Sequence, residues 1–179
     1  VDEIVVSTVV YLPPDEVYDF LIDFPRYADY SKYLEEVRSD GDGSPGTRYA
    51  LRFSWWKLTY TAHSEVTDVE PPACIDWRVV KDIHAHGRWR IEPLAELPPD
   101  APPDAETGCR VYFEIVFDAD SARDGAVDLP AFVSFDWVLA RIRPKVLEEA
   151  ERIVARIVAD LEGRNRDVEL TVRKRPSEI

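Results

Sequence analysis

The feature that most constrains this chain is a single change of hydrophobic period. Residues 47–53 set Tyr49, Leu51 and Phe53 on one face and Arg48 and Arg52 on the other. Residues 58–69 read as a long strand that includes Tyr60, and residues 73–80 bring Ile75, Trp77 and Val79 together. Residues 84–92 oppose Trp89 and Ile91 to His84, His86, Arg88 and Arg90, and Val111, Phe113, Ile115 and Phe117 mark a last strand. Period-two alternation in consecutive runs predicts an antiparallel sheet with one covered face. Past Pro130, Phe132, Phe135, Leu139, Ile142, Val146, Ala150, Ile153, Ile157 and Leu161 recur at spacings of three and four. That stripe predicts one amphipathic helix, about 45 Å long if unbroken, as the cover. Gly163 is the expected terminator and Pro144 the expected kink.

Ahead of the alternating runs, residues 3–11 are β-branched and read as a strand stopped by Pro13 and Pro14. Val17, Phe20 and Leu21 make a short helical stripe that Pro25 should end, and residues 26–33 read as a second short helix carrying Tyr27, Tyr30 and Tyr33. Val37 opens another extended segment, the cluster 41–46 is a turn, and residues 54–57 are a hairpin connection. The Pro- and acid-rich stretch 94–108 is expected to be a surface excursion, as is the polar loop 118–128. A chain of 179 residues suits one domain, expected over 1–163, with a polar tail over 164–179; 168–172 could form a short strand, but a loose tail is the expectation.

Charge narrows the partners. Thirty-five acids against 22 bases leave a net charge of −13, which repels nucleic acid and anionic lipid surfaces at long range. Five bases are Lys and 17 are Arg, Gln and Met are absent, and Asn occurs once, at Asn165. This composition resembles that of proteins from salt-loving archaea, whose molar cytoplasmic salt shortens the Debye length to about 3 Å. No apolar run approaches the roughly 18 residues of a membrane span, so no stable insertion is expected. Nor does a basic start precede an apolar stretch, so no signal peptide is expected and the chain is assigned to the cytoplasm.

The chemistry-bearing residues form no recognisable catalytic set. Cys74 and Cys109 lack metal-ligand spacing and read as two buried thiols. His84 and His86 share a face with Arg88 and Arg90, which makes them surface histidines rather than zinc ligands, so no metal or other cofactor is assigned. There is no Gly-x-Ser-x-Gly elbow and no phosphate-cradling Gly loop. Alternation turns Asp76 and Glu114 outward, leaving Tyr49 and Tyr60 as inward polar groups that either meet a ligand carbonyl or bond to backbone. No catalytic residue is assigned. Trp55 and Trp56 at the hairpin tip cannot both point inward; a gate, a membrane or partner contact, and cover by a neighbouring loop all remain open.

The segment Val10-Tyr11-Leu12-Pro13-Pro14-Asp15-Glu16-Val17-Tyr18-Asp19-Phe20-Leu21-Ile22-Asp23-Phe24-Pro25-Arg26-Tyr27 resembles the opening signature of the START-like superfamily, also called SRPBCC. Gly46-Thr47-Arg48, Trp89-Arg90-Ile91-Glu92-Pro93 and the stretch from Thr107 to Phe117 strengthen the likeness, although Cys109 stands where many members have Thr. The resemblance spans 3–162 and is nearest to polyketide cyclase/dehydrase-like and coenzyme-Q-binding proteins. It implies an α+β helix-grip fold: a curved antiparallel sheet of about seven strands wrapped on the long helix, with two short helices after the first strand. It also implies an apolar cavity lined by Tyr49, Leu51, Phe53, Tyr60, Trp77, Trp89, Phe113, Phe132, Phe135 and Leu139, entered past Tyr30, Trp55 and Trp56. Side chains filling that space completely is the competing expectation. The function implied is carriage of a hydrophobic small molecule: a lipid, an isoprenoid quinone or a polyketide-like aromatic. The rivals are an aromatase/cyclase-type enzyme and a cavity-poor interaction module.

Overall fold

The structure is a computed structural model that describes residues 1–118, 121 and 135–175, the side chains at 135, 136, 138, 139, 142 and 143 excepted. The expected lining residues Phe132, Phe135 and Leu139 therefore lie outside what is described. The chain opens with β1 (Asp2–Val10) and α1 (Pro14–Ile22), followed by a 3-10 turn over Phe24–Asp29. Then come β2 (Leu34–Asp40), β3 (Arg48–Trp55), β4 (Leu58–Glu70), β5 (Cys74–Val79), β6 (His84–Pro93) and β7 (Cys109–Asp118). The long helix α2 (Phe135–Glu162) and a last strand β8 (Thr171–Lys174) complete it. The strands form one curved antiparallel sheet in the order β2-β3-β4-β5-β6-β7-β1-β8, an α+β helix-grip arrangement.

Proline chemistry sets the short helices. Pro14 occupies the first turn of α1, where a missing N–H costs no helical hydrogen bond. Pro25 does the same in the 3-10 turn, so this second helix starts earlier and ends sooner than the sequence reading of 26–33. At the far end of α2, Gly163 takes φ +76° and its N–H caps the Ala159 carbonyl at 3.0 Å, as expected of a C-terminal glycine.

One expectation about connections is corrected, and the surface excursion over 94–108 is found tied to the body. The tail is not loose: β8 pairs with β1, Val172 opposite Val6, and Arg173 donates to Ser7 Oγ at 3.0 Å. Edge-strand hydrogen bonds of β1 outweigh the polar composition of this segment, which gives eight strands rather than seven. The 94–108 segment also folds back on the body. Leu94 N–H donates to the Gly108 carbonyl at 2.9 Å, Leu94 and Leu97 close over the buried Gly108, and Arg164 bonds Asp104.

The core lies at one end of the concave face. Tyr49, Val66, Ile75, Ile91, Val111 and Val10 come from alternating strand starts and ends, so antiparallel pairing brings them to the same end of the sheet. Against them pack Val17, Phe20, Leu21 and Phe24 from the short helices and Val154, Ile157, Val158 and Leu161 from the C-terminal half of α2. Toward the opposite end the same face loses its cover. Phe53 is 37% exposed, and Tyr60, Trp77, Ile115 and Phe117 are half-buried, although Leu34 and Leu58 remain buried there.

Candidate functional site

Cross-strand register decides which side chains share the concavity. Phe53 pairs with Tyr60, Trp89 lies between Ile75 and Phe113, and Trp77 pairs with Gly87. Since side chains two apart on a strand share a face, Tyr49, Leu51, Phe53, Tyr60, Trp77, Trp89 and Phe113 all lie on the concave face. Of these, Tyr49 is buried and the rest keep solvent access.

The wall they make is continuous through ring contacts. Trp77 stacks on Phe113 at 5.9 Å, Phe113 meets Trp89 at 4.8 Å, and Trp89 meets Tyr27 edge-on at 6.4 Å. Tyr27 stacks on Phe24 at 5.2 Å, and Phe24 reaches Tyr49 at 4.5 Å. Gly87 is what lets the Trp77 indole lie flat across β6. A Cβ at Gly87 would sit 2.3 Å from Trp77 Cζ2 and 2.6 Å from the Glu114 carbonyl oxygen. The indole Nε1 is buried there without a hydrogen-bond partner among the described residues.

Polar groups on this face are few. Between β3 and β7 the described inward positions carry no carboxylate and no imidazole; their ionisable groups are Tyr49, Tyr60 and Cys109. Burial raises the Tyr49 hydroxyl above its ordinary value, helped by Asp23 and Asp42, and burial followed by Asp82 does the same to Tyr60. Burial holds Tyr27 well above the usual phenol range, and its hydroxyl donates to the Leu21 carbonyl. Burial and then Glu162 push the Cys109 thiol up to about 12, while burial and the neighbouring Asp76 push Cys74 up to about 11. Neither thiol is a nucleophile at neutral pH.

The convex face takes the charges. Arg88 donates to Asp76 at 2.6 Å, Arg78 to Glu65 at 2.7 Å, and Arg90 to Glu114 at 3.2 Å. Asp76 and Glu114 thus point outward as alternation implied, but they are ion-paired rather than simply solvated. His84 and His86 are exposed on this side.

The three expected entrance residues are not brought to one place. Trp55 and Trp56 sit at the β3–β4 tip with ring centroids 6.4 Å apart, and Trp56 adopts φ 54°, an unfavourable conformation for a bulky residue. Trp56 meets Trp137, in the first turn of α2, at 5.7 Å. Tyr30 is tied to the other half of α2: its hydroxyl bonds Asp160, and Arg156 donates to its carbonyl at 2.8 Å. Sequence reasoning missed Trp137 because it falls off the 135–139–142 stripe; a large aromatic on the polar side of a helix was the available signal. Tyr27, carried by the second short helix, bridges Trp89 to Phe24 through its ring.

Similarity to known proteins agrees with this architecture. No curated protein matches the sequence. The structure resembles the ZhuI aromatase/cyclase from Streptomyces sp. R1128, with 20% identity, a TM-score of 0.59, and 89% of this chain and 93% of that one covered. It also resembles major latex-like protein 151 from Panax ginseng, at 10% identity and a TM-score of 0.55, covering 88% and 95% of the two chains. At such identities the likeness speaks for the fold alone. The sequence itself matches a family model over residues 2–162, and the chain therefore belongs to the family described as polyketide cyclase / dehydrase and lipid transport.

Proposed function

We propose that this protein binds and carries a hydrophobic small molecule between the open end of its sheet and α2. The observation that carries the reading is the gradient along the concave face. One end is sealed by the short helices and the C-terminal half of α2, while Phe53, Tyr60, Trp77, Ile115 and Phe117 keep solvent access at the other. Aromatic walls with few polar groups suit flat or extended apolar ligands, an aromatic polyketide, a quinone or a lipid chain. Tyr60 supplies a hydroxyl for a ligand carbonyl, and the Trp56–Trp137 contact frames the entrance. The aromatic, sparsely polar wall supports carriage, and the aromatase/cyclase reading is the alternative that a product assay separates from it.

The test is saturable binding of a solvatochromic apolar dye, with quinone and aromatic competitors. Phe53→Glu should weaken dye binding by at least about ten-fold, because a charge is placed in an apolar site. Thr61→Glu, on the opposite face of β4, should leave binding unchanged. Equal affinity of the two variants would refute the site. Conversion of a polyketide-like competitor into a cyclised product would replace carriage with catalysis.

A further inference from the structure

One stretch of α2 differs from the rest of the chain in charge. Between Asp136 and Glu148, residues 137–147 carry Arg141, Arg143 and Lys145 and no acid, within a protein of net charge −13. Residues 144–148 are exposed at every position. At about 100° per residue, five successive positions cover every side of a helix, so no described part of the protein buries this segment. At the start of the helix Trp137 is 39% exposed and meets Trp56, itself 52% exposed; Val146 and Leu147 are exposed farther along. Cations stand over both indoles: Lys57 Nζ lies 5.7 Å from the Trp56 ring and the Arg141 guanidinium 4.9 Å from the Trp137 ring. The next acid, Glu148, is bound by Arg152. The helix macrodipole does not call for these cations, since it favours anions rather than cations toward an N-terminus.

From this we propose that the β3–β4 tip and the N-terminal half of α2 dock the protein peripherally on an anionic lipid bilayer, Trp56 and Trp137 entering the interface and Lys57, Arg141 and Lys145 meeting the headgroups. Exposed indoles flanked by basic side chains match the headgroup–acyl boundary. A second copy is the poorer fit. A two-fold contact sets a patch against itself, which here would oppose Lys57, Arg141 and Lys145 to their own like charges. The negative surplus on the rest of the molecule turns this tip toward the bilayer instead of preventing approach. The docking patch stands at the entrance of the proposed cavity, but its test does not depend on that cavity.

Full-length protein should be sedimented with vesicles of phosphatidylcholine alone or mixed with phosphatidylglycerol, at about 0.1 M salt, where the screening length is about 10 Å. It should partition onto the anionic vesicles only. Brominated acyl chains in those vesicles should quench its tryptophan emission. Near an anionic surface each basic side chain contributes roughly five-fold, so a combined Lys57→Gln, Arg141→Gln and Lys145→Gln variant should partition about a hundred-fold less. Trp56→Ser with Trp137→Ser should abolish the quenching. Thermal melts establish that each variant is folded; if the tryptophan variant is not, the glutamine variant decides alone. Equal partitioning of wild type and the glutamine variant, or no anionic preference, overturns the proposal. So does a concentration-dependent dimer in vesicle-free solution that the tryptophan changes dissolve, because it assigns the patch to a second copy. Dye binding in the vesicle-free sample reports the cavity separately, so failure of docking and failure of carriage are told apart.

Discussion

Gly87 shows how one residue without a side chain shapes the site. Its missing Cβ leaves the space that the Trp77 indole fills, and the indole in turn presents a flat surface to Phe113. A methyl group there would need to displace a bulky ring and a backbone carbonyl together, neither of which is the loose end of a flexible side chain. Gly87→Ala should therefore destabilise the protein by about 1–3 kcal/mol, the range for overpacking a close-fitted site. Trp77→Phe should recover part of that loss when combined with it, but not all, because the Glu114 carbonyl oxygen stays in place. A double-mutant cycle measured by urea unfolding reads the coupling, and strict additivity would mean that the indole does not lie over Gly87.

At the scale of elements, the last turns of α2 clasp it to the sheet among the described residues. Glu162, whose side chain is fully buried, receives Arg166 through two hydrogen bonds of 2.8 Å and the Tyr11 backbone N–H at 3.0 Å. Arg166 also donates to the Val9 carbonyl at 2.8 Å, so one clasp joins the end of α2 to the end of β1. Burial alone would raise the Glu162 carboxyl, but the hydrogen bonds from Arg166 and Tyr11 and the charges of Arg166 and Arg164 more than offset it and hold it below its ordinary 4.5. A depressed carboxylate contributes stability that is present above pH 4.5 and lost as the pH falls through the folded-state value. Glu162→Gln should cost about 2 kcal/mol at neutral pH, typical of hydrogen bonds to a charged group. The difference in Tm between wild type and this variant should shrink below pH 4.5. A gap that stays constant into acid would remove Glu162 from the acid response.

Across the whole molecule, the convex face is an ion-paired lattice and the surplus of acids lies outside it. Such a surface repels itself in dilute buffer, and salt should relieve the repulsion by shortening the screening length to about 3 Å at 1 M. The Lys-poor composition points the same way. Tm should rise steadily across a KCl series from dilute buffer to the molar range. A flat or falling series would leave the acid surplus without that purpose. The same series should weaken vesicle docking through Lys57, Arg141 and Lys145, so that stability and docking respond to salt in opposite directions.

Much of the fold was legible in local pattern. Strict alternation assigned Tyr49 through Phe117 to one face because a strand's side-chain period is two, and a one-residue slip would have turned every one of them outward. The period change after Pro130, and Gly163 at its end, bounded the long helix for similarly local reasons. What local pattern does not contain is where a face meets something distant. The pairing of β8 with β1 depended on a free edge 166 residues away in sequence, where Val172 finds Val6 across a gap no composition records. Tyr30 was read beside the hairpin, but Asp160 and Arg156 drew it to the opposite half of α2. Trp137 meets Trp56 only because the β3–β4 tip and the start of α2 converge in space. Sequence by itself determined which side chains share the concave face, because that follows from the backbone period; which end of the face is sealed and which stays open was decided by tertiary packing, because the short helices and the last turns of α2 cover only one end.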